Sequence, residues 1–519
     1  MKYPFSTRIG RRGFLFTVSA IVSYTLAQQT SRKALANPKF ADYPFSLGVA
    51  SGDPNANRVV LWTRLIPTDA REDIVVHWQI ASDPKMRHVV ASGKTIASPE
   101  LAHSVHVAVE GLDSDRAYWY QFQAGKEISP MGRTRTLPEP SASPSKLKFA
   151  FVSCQNYEHG YFNPYRHLAQ EDLNFVIHLG DYIYEYAADT SGSYPRQHPE
   201  VECDDLKTYR ERYALYKRDR DLQLAHANFP FICTWDDHEV ENDYANSESE
   251  NFEAEKHFLK RRAAAYQAYY EHLPLPPFSR PQGASMQLYR HFQFGNLAQF
   301  YVLDARQYRS DQACDDNGQG GGQLVRIDCP ELYKRDRSLL GNEQEQWLFK
   351  QLKHSCAHWN VMAQPYLVSQ LKQPSSEKVR IWTDAWDGYP ISRQRLLEFL
   401  YQNEIANPIF IGGDIHSFWV SNLKRDFEDP NSEIVASEFV TSSISSLSVP
   451  YEQFLSYLPV NPHIKFFDSR QRGYVKCSCD GKSWRSELKA VDTVEVPESR
   501  LSTLATYQVE SGKKGINST

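Results

Sequence analysis

The chain has 519 residues, 41% of them hydrophobic and 23% charged, with a formal net charge of −5 at neutral pH. That length provides for two or three domains around a large buried core, and the ordinary composition excludes a low-complexity or disordered protein. A mildly acidic chain gives no electrostatic case for nucleic acid or an anionic membrane surface as a partner.

In chain order, the first element is an export signal spanning residues 1–36. Arg8 and the pair Arg11-Arg12 precede Gly13-Phe14-Leu15-Phe16, an apolar stretch runs to Ala27, and Ala34-Leu35-Ala36 offers a small-x-small cleavage site before Asn37. Basic, apolar and cleavage segments in that order form the secretory pattern, and Arg-Arg-x-Phe-Leu resembles a twin-arginine signal. The apolar stretch falls short of the roughly 20 residues that a spanning helix needs. A mature chain beginning at Asn37, periplasmic or extracellular and without a stable membrane anchor, is therefore expected.

From residue 37 to 137 the pattern is all-β. Val59-Val60-Leu61-Trp62-Thr63, Ile74-Val75-Val76-His77-Trp78-Gln79-Ile80, Val105-His106-Val107-Ala108-Val109 and Tyr118-Trp119-Tyr120-Gln121-Phe122 are β-branched and aromatic runs separated by turns. They predict a small sandwich of the immunoglobulin or fibronectin kind. A Pro/Ser linker at 138–145 closes it. Beyond, from 146 to 485, strands alternate with helical stretches at 254–272, 342–354 and 394–403, which predicts a layered α/β domain. Polarity rises after residue 486, so 486–519 reads as a tail that ends in disorder. Of eight cysteines, Cys314 and Cys329 bracket a glycine-rich loop and form the expected disulfide. Cys477 and Cys479 either pair with distant partners or remain buried thiols.

Four short apolar runs in the α/β region end in groups that can hold a metal. Phe149-Ala150-Phe151-Val152 leads to Ser153-Cys154-Gln155, and Phe175-Val176-Ile177-His178-Leu179 leads to Gly180-Asp181 with Tyr184 three residues on. Phe231-Ile232-Cys233-Thr234-Trp235 precedes Asp236-Asp237-His238-Glu239, with Asn242 close behind, and Ile409-Phe410-Ile411 precedes Gly412-Gly413-Asp414-Ile415-His416. Buried parallel strands deliver side chains at their carboxyl ends, and consecutive carboxylates repel one another unless a cation neutralises them. Each motif alone has a plainer use: Asp181 as a helix cap, Tyr184 as core, 236–243 as a solvated acidic loop. Together they predict a binuclear metal site. Asp414 and His416, alternating about Ile415, are expected on one side of an extended segment.

Gly-Asp-x-x-Tyr, the Asp-His segment and Gly-Gly-Asp-x-His resemble the metallophosphoesterase superfamily. With Ser153-Cys154-Gln155 and Trp235-Asp236-Asp237-His238-Glu239, the chain is similar to its alkaline phosphatase D (PhoD-like) branch. Gly48-Val49-Ala50-Ser51-Gly52-Asp53-Pro54 and Leu61-Trp62-Thr63-Arg64 match the habitual wording of that family's amino-terminal domain. The similarity runs from about residue 40 to 474. It implies mixed sheets flanked by helices, one Fe(III) with Ca(II) beside it, and hydrolysis of phosphate esters at alkaline pH by metal-activated water or hydroxide. By matching position it implies Cys154, Asp181, Tyr184 and Asp414 for iron. It implies Asp237 and Asn242, with Asp414, for calcium, and His238 or His416 near the phosphate. Ser153-Cys154 replaces the superfamily's usual Asp-x-His, and no Gly-Asn-His triplet occurs.

Thr383, Ser417 and Ser442 have no evident activating partner, so no serine or threonine nucleophile is expected. Small phosphate esters are the expected substrates, monoesters and also diesters. A dedicated phosphodiesterase, including a phospholipase-D-like enzyme, is the competing hydrolase reading, and a phosphate-binding module the competing non-enzymatic one. The twin-arginine export machinery is the expected partner; its resemblance-implied cargo is already folded, which suits an enzyme loaded with metal before export. Arg210, Arg212, Arg306 and Arg309 could bind phosphate, but surface salt bridges are the expected use of each.

Overall fold

Alternation within the apolar runs decides the layers. In the strands Leu147–Val152 and Phe175–His178, Phe149, Phe151, Phe175 and Ile177 enter one core, while Ala150, Val152 and Val176 enter another. A strand apolar on both faces must be covered on both. These strands belong to a ten-stranded sheet, and the first core is shared with a seven-stranded sheet, whose Phe300, Val302, Val361, Ile409 and Ile411 face it. Tyr301, Met362 and Phe410 of that second sheet point away, into a core built with the helices Asn342–Lys353 and Pro390–Gln402. On the far side of the first sheet lie Leu206–Lys217, Arg220–Asn228 and Glu255–His272. The layers run helix, sheet, sheet, helix, as the expected layered α/β domain requires. This computed structural model describes residues 34–35, 38–314, 318, 320–375 and 378–518. Apart from Ala34 and Leu35, the export signal lies outside the described residues, as does the expected mature start at Asn37.

The amino-terminal sandwich is present but does not own both its sheets. Ile74–Ala81, Val89–Ala97, Ala117–Ala124 and Gly132–Arg135 form one sheet, packed through Val76, Ile80, Tyr118 and Phe122 onto Val59, Leu61, Val105 and Val107. The facing strands Val49–Gly52, Arg58–Arg64 and Ser104–Glu110 continue the ten-stranded sheet, with Val49–Gly52 parallel to Pro230–Cys233. A buried ion pair reinforces this junction: Arg290 donates to both Asp53 oxygens at 2.8 and 2.6 Å. Residues 138–145 are likewise tied down, since Asn296 donates its backbone N–H to Ala142 O and its amide to Ser143 Oγ, both at 2.8 Å.

The carboxyl-terminal segment also differs from its expectation. Ser483–Val491 and Leu501–Glu510 are paired strands of the ten-stranded sheet, and Asn517–Ser518 adds a short pairing beyond them. Their polarity marks strands with one face in solvent, because Ser483–Val491 alternates buried and half-buried positions. Composition alone does not separate such strands from a tail. The Cys314–Cys329 disulfide is formed, and Cys477 and Cys479, two residues apart on one strand, are buried thiols in the inter-sheet core. Among the described residues, no helix is long and apolar enough to cross a membrane.

Gly52 is the tightest point of the junction between the sandwich and the rest. A Cβ there would lie 2.5 Å from Pro274 O and 2.6 Å from Phe231 O, both backbone atoms that cannot swing away. Gly52→Ala is expected to cost about 1–3 kcal/mol through forced strand separation. Denaturant unfolding should show that loss in a single transition covering both halves; a loss confined to an early, separate transition would contradict the shared sheet.

Candidate metal centre

The carboxyl ends of both sheets meet in one place. Leu147–Val152 ends two residues before Cys154, Phe175–His178 three before Asp181, Pro230–Cys233 three before Asp236, and Pro408–Gly412 two before Asp414. Backbone bonds lock the turns together: Cys154 N–H donates to Gly180 O and Gln155 N–H to Asp181 O, each at 3.1 Å. Gly180, at φ +115°, brings its backbone against Asp236, where a Cβ would stand 2.6 Å from the Asp236 Cβ. Cys154, Asp181, Asp414 and His416 adopt left-handed φ values of 59°, 57°, 61° and 55°. Asp414 and His416 are thus not alternating residues of an extended segment, as the sequence predicts. The strand has ended at Gly412, and the left-handed turn is what aims them.

Among the described residues, three groups of potential donors result, each with its ligand atoms within 4.8 Å of one another: Cys154, Asp181 and His416; Asp181, Asp237 and His238; Asp237, Asp243 and Asp384. Asp181 links the first to the second and Asp237 the second to the third. Tyr184 adjoins the first, its hydroxyl 2.9 Å from Asp181 Oδ2, 3.0 Å from His416 Nε2 and 2.8 Å from Ser446 Oγ. Asp414 is half-buried beside the same acids but belongs to none of the three groups; its backbone oxygen accepts from Cys154 Sγ at 3.8 Å. Asn242 commits its amide N–H to Glu250 Oε1 at 2.8 Å, which leaves the amide oxygen for any cation.

Asp243 and Asp384 were not among the expected ligands. Asp243 lies within the acidic segment at another left-handed position, φ 52°. Asp384 follows the short strand Val379–Trp382, outside every apolar run that ends in an expected donor. The remaining acids of the segment divide into supporting tasks. Glu239 accepts the backbone N–H groups of Asp181, Tyr182 and Asp236 at 3.2, 2.6 and 2.8 Å, and so fixes two of the turns. Glu241 accepts from Ser249 and Asn251.

The arginines correct the surface expectation. Arg306 is fully buried, bidentate to Asp384 at 3.0 and 2.6 Å, and bonded to Asp236 at 2.8 Å and Asp237 at 3.2 Å. Arg309 is buried against Asp384 at 3.1 Å, and Arg212 is buried with its guanidinium on Tyr184 O. Only Arg210 is partly exposed, paired with Glu271. Fixed planar donors suit the clustered carboxylates better than a solvated lysine.

Electrostatics test whether the donors fit a cation. Asp181, Asp236, Asp237, Asp243, Asp384 and Asp414 outnumber Arg306, Arg309 and His238, and Asp181 Oδ1 and Asp236 Oδ2 are buried without a hydrogen-bond partner. Burial pushes Asp181 up to about 7, with Asp237 adding and His238 opposing. Asp236 reaches about 8 through burial, against Arg306. Burial likewise raises Cys154, Tyr184 and Asp414, reinforced by neighbouring carboxylates. Such groups hold their protons until positive charge replaces them, so thiol, phenol and carboxyl here match a cation site. The two histidines differ. Burial disfavours charge on His238, but Asp237, Glu185 and Asp181 outweigh it and raise its pKa; Glu185 Oε2 sits 2.8 Å from its Nδ1. Burial, with Arg472 and His238 adding, holds His416 down at about 3. Its Nδ1 lies 2.5 Å from the Leu447 carbonyl, which only accepts, so the neutral ring keeps its lone pair on Nε2. Thr383, Ser417 and Ser442 bond only backbone groups and Trp419, with no base beside them.

Comparison with known proteins places the whole chain in a family. The PhoD-like phosphatase family matches residues 149–488, and the PhoD-like phosphatase N-terminal domain matches residues 29–138. Alkaline phosphatase D of Bacillus subtilis (strain 168) is 44% identical over 505 residues, covering 95% of this chain and 85% of that protein. The solved structure of PhoD superposes with a TM-score of 0.88 at 44% identity, covering 93% of each chain. The expected resemblance, α/β fold and phosphatase activity therefore hold: this chain belongs to the PhoD-like phosphatase family.

Proposed function

We propose that the protein is an exported phosphatase holding one ferric ion with calcium beside it, and that it hydrolyses phosphate monoesters and also diesters at alkaline pH. The observation that carries this reading is the unlikeness of the linked donor groups. Thiol, phenol and imidazole gather with Asp181 at one end, and carboxylates alone at the other. Soft and phenolic donors favour iron, while an all-oxygen set favours calcium. Cys154, Tyr184, Asp181 and Asp414 would hold the iron, and the Nε2 lone pair of His416 faces the same place. Asp237, Asp243 and Asp384 would hold calcium, with the Asn242 amide oxygen and Asp414 beside them. Bound there, the cations supply Lewis acidity to the phosphoryl group and to the attacking water.

The chain's own residues provide orientation and a proton. Glu239 keeps the Asp181 and Asp236 turns from relaxing apart, and Arg306 holds Asp237 and Asp384 at a fixed spacing. Glu185 keeps His238 as an imidazolium, able to protonate the departing alkoxide and return to charge from solvent. His416, neutral and held by Leu447, suits a ligand better than a proton donor. That division supports His238, rather than His416, as the acid.

Elemental analysis of the exported protein should find iron and calcium, and its solution should absorb in the visible. Tyr184→Phe removes one oxygen and little volume, so a packing role predicts a loss of only about 0.5–1.5 kcal/mol. The ligand role predicts a shifted or bleached band, weaker iron retention and turnover lower by several orders of magnitude. Cys154→Ser should behave alike, because a hydroxyl is a far poorer anionic donor. Stoichiometric zinc without iron, or two variants of undiminished colour and turnover, would overturn the ligand assignment.

Metal removal gives a second test. With ordinary carboxyl values near 3.8, Asp181 at about 7 and Asp236 at about 8 retain protons in the folded chain that the unfolded chain has already released. Unfolding then releases protons, so the stability of the metal-free protein falls as pH rises through that window. Above the ordinary histidine range the buried neutral histidines no longer offset this trend. The Tm of chelator-treated protein should therefore drop between about pH 6.5 and about pH 8.5. A flat or rising Tm there would contradict the buried acidic cluster.

For export, the pair Arg11-Arg12 and the small residues around Ala36 support the twin-arginine route with a mature start at Asn37. Replacing both arginines by lysine should trap the precursor inside the cell; normal export of that variant would rule the route out.

A further inference from the structure

The centre opens on one side into a cleft of about 390 Å³ that shares Asp414, Ile415 and His416 with it. Its other walls are mainly Leu324, Leu367, Leu371, Trp382, Val449 and Phe454. Leu324 and Trp382 oppose each other on antiparallel strands and are each 38% exposed. Phe454 stands on the short helix Tyr451–Leu455, with the Trp419 and Phe467 rings 6.3 and 6.1 Å behind it, so this wall is backed by core. Of the polar lining, Ser369, Asp387 and Gln453 are bonded elsewhere, Gln453 donating to the Tyr457 hydroxyl at 2.8 Å, and Gln373 adds an uncharged amide. Asp387 accepts from Leu371 N–H at 2.8 Å and from Arg393 at 2.6 Å, and the Ser369 hydroxyl donates to Ser421 at 3.1 Å. Among the described residues, no lysine or arginine lines the cleft.

An uncovered apolar hollow that begins at the reacting group has a natural occupant: whatever is bonded to the phosphoryl oxygen. A second phosphate or any other anion would find no cation there, which disfavours nucleotides and polyanionic esters in this position. An uncharged hydrocarbon chain would cover the exposed Leu324 and Trp382 side chains without burying a polar group. We propose that the cleft is the alcohol subsite of the enzyme and selects phosphate esters whose alcohol is an uncharged alkyl chain. The proposal rests on phosphoester hydrolysis at the adjoining centre. In that reaction the phosphorus–oxygen bond to the alcohol breaks, water oxygen takes its place on phosphorus, and the proton goes to the departing alkoxide.

Ethyl, propyl, butyl and hexyl phosphate share nearly the same leaving-group chemistry, so a gradient among them reports binding. With metal-loaded protein, kcat/KM should rise with chain length, by up to about fourfold for each methylene that is fully buried. Propyl phosphate should also be preferred to glycerol phosphate, which carries hydroxyls over the same length. Trp382→Ala removes one wall at a half-exposed position, and Val449→Trp fills the cleft. Each should lower the hexyl-to-ethyl preference by about tenfold, the size expected for one altered apolar contact surface. Turnover of all four alkyl esters without a gradient, or equal losses for hexyl and ethyl in both variants, would overturn the subsite while leaving the phosphatase intact. Failure of the wild-type protein to turn over any alkyl or aryl phosphate would overturn both.

Discussion

Like charges do not share a dry site unless something positive holds them, and nearly every unusual feature of this protein answers to that constraint. Six aspartates converge where two sheets end, beneath enough protein that burial opposes ionisation of several of them. Two guanidiniums and one imidazolium offset part of the charge, and the remainder defines a place for cations. The arrangement is specific because each countercharge is itself buried and fixed. Arg306 reaches Asp236, Asp237 and Asp384 at once, so these acids cannot drift apart to relieve repulsion.

The sheets supply the convergence. Parallel strands all end on one side, and here strands of both sheets end on the same side. Ala298–Val302 leads to Arg306, Trp359–Ala363 leads to Tyr366, and the Tyr366 hydroxyl bonds Asp236. Left-handed turns at Cys154, Asp181, Asp414 and His416 then swing donors inward immediately after the strands stop. Non-glycine residues in that conformation cost of order 1–3 kcal/mol each. Surrounding structure must over-determine them, and the three backbone N–H groups gathered by Glu239 are part of how it does so.

What the sequence makes legible follows from that geometry. Cys154, Asp181, Asp237 and Asp414 can be read because each sits within a few residues of a continuous apolar run, and an apolar run ending in a charge is visible without a structure. Arg306 follows such a run too, at Asp304-Ala305-Arg306, but an arginine after a strand has many solvated uses and its depth is a tertiary fact. Asp384 is less accessible still, because it comes from an irregular stretch brought in from the second half of the chain. The same limit applies to the fold. Helices such as Glu255–His272 and strands such as Ile434–Val440 announce themselves by periodicity. The joining of Val49–Gly52 to Pro230–Cys233, and of 483–510 to the catalytic sheet, depends on register between distant segments. One-sided exposure makes the latter look like a tail.

The position of Leu147–Val152 has a consequence for the order in which the chain can assemble. One of its neighbours, Phe175–His178, follows it closely, but the other, Arg472–Cys479, comes from far along the chain. Until then the strand that leads to Cys154 has an open edge, and the inter-sheet core lacks Val475, Cys477 and Leu488. Contacts of such long sequence separation are reached late and leave aggregation-prone edges exposed meanwhile. A fragment ending before residue 472 would carry all six metal-site aspartates yet could not complete the sheet that holds them. The sheet beneath Cys154 is therefore closed by strands far from it in sequence.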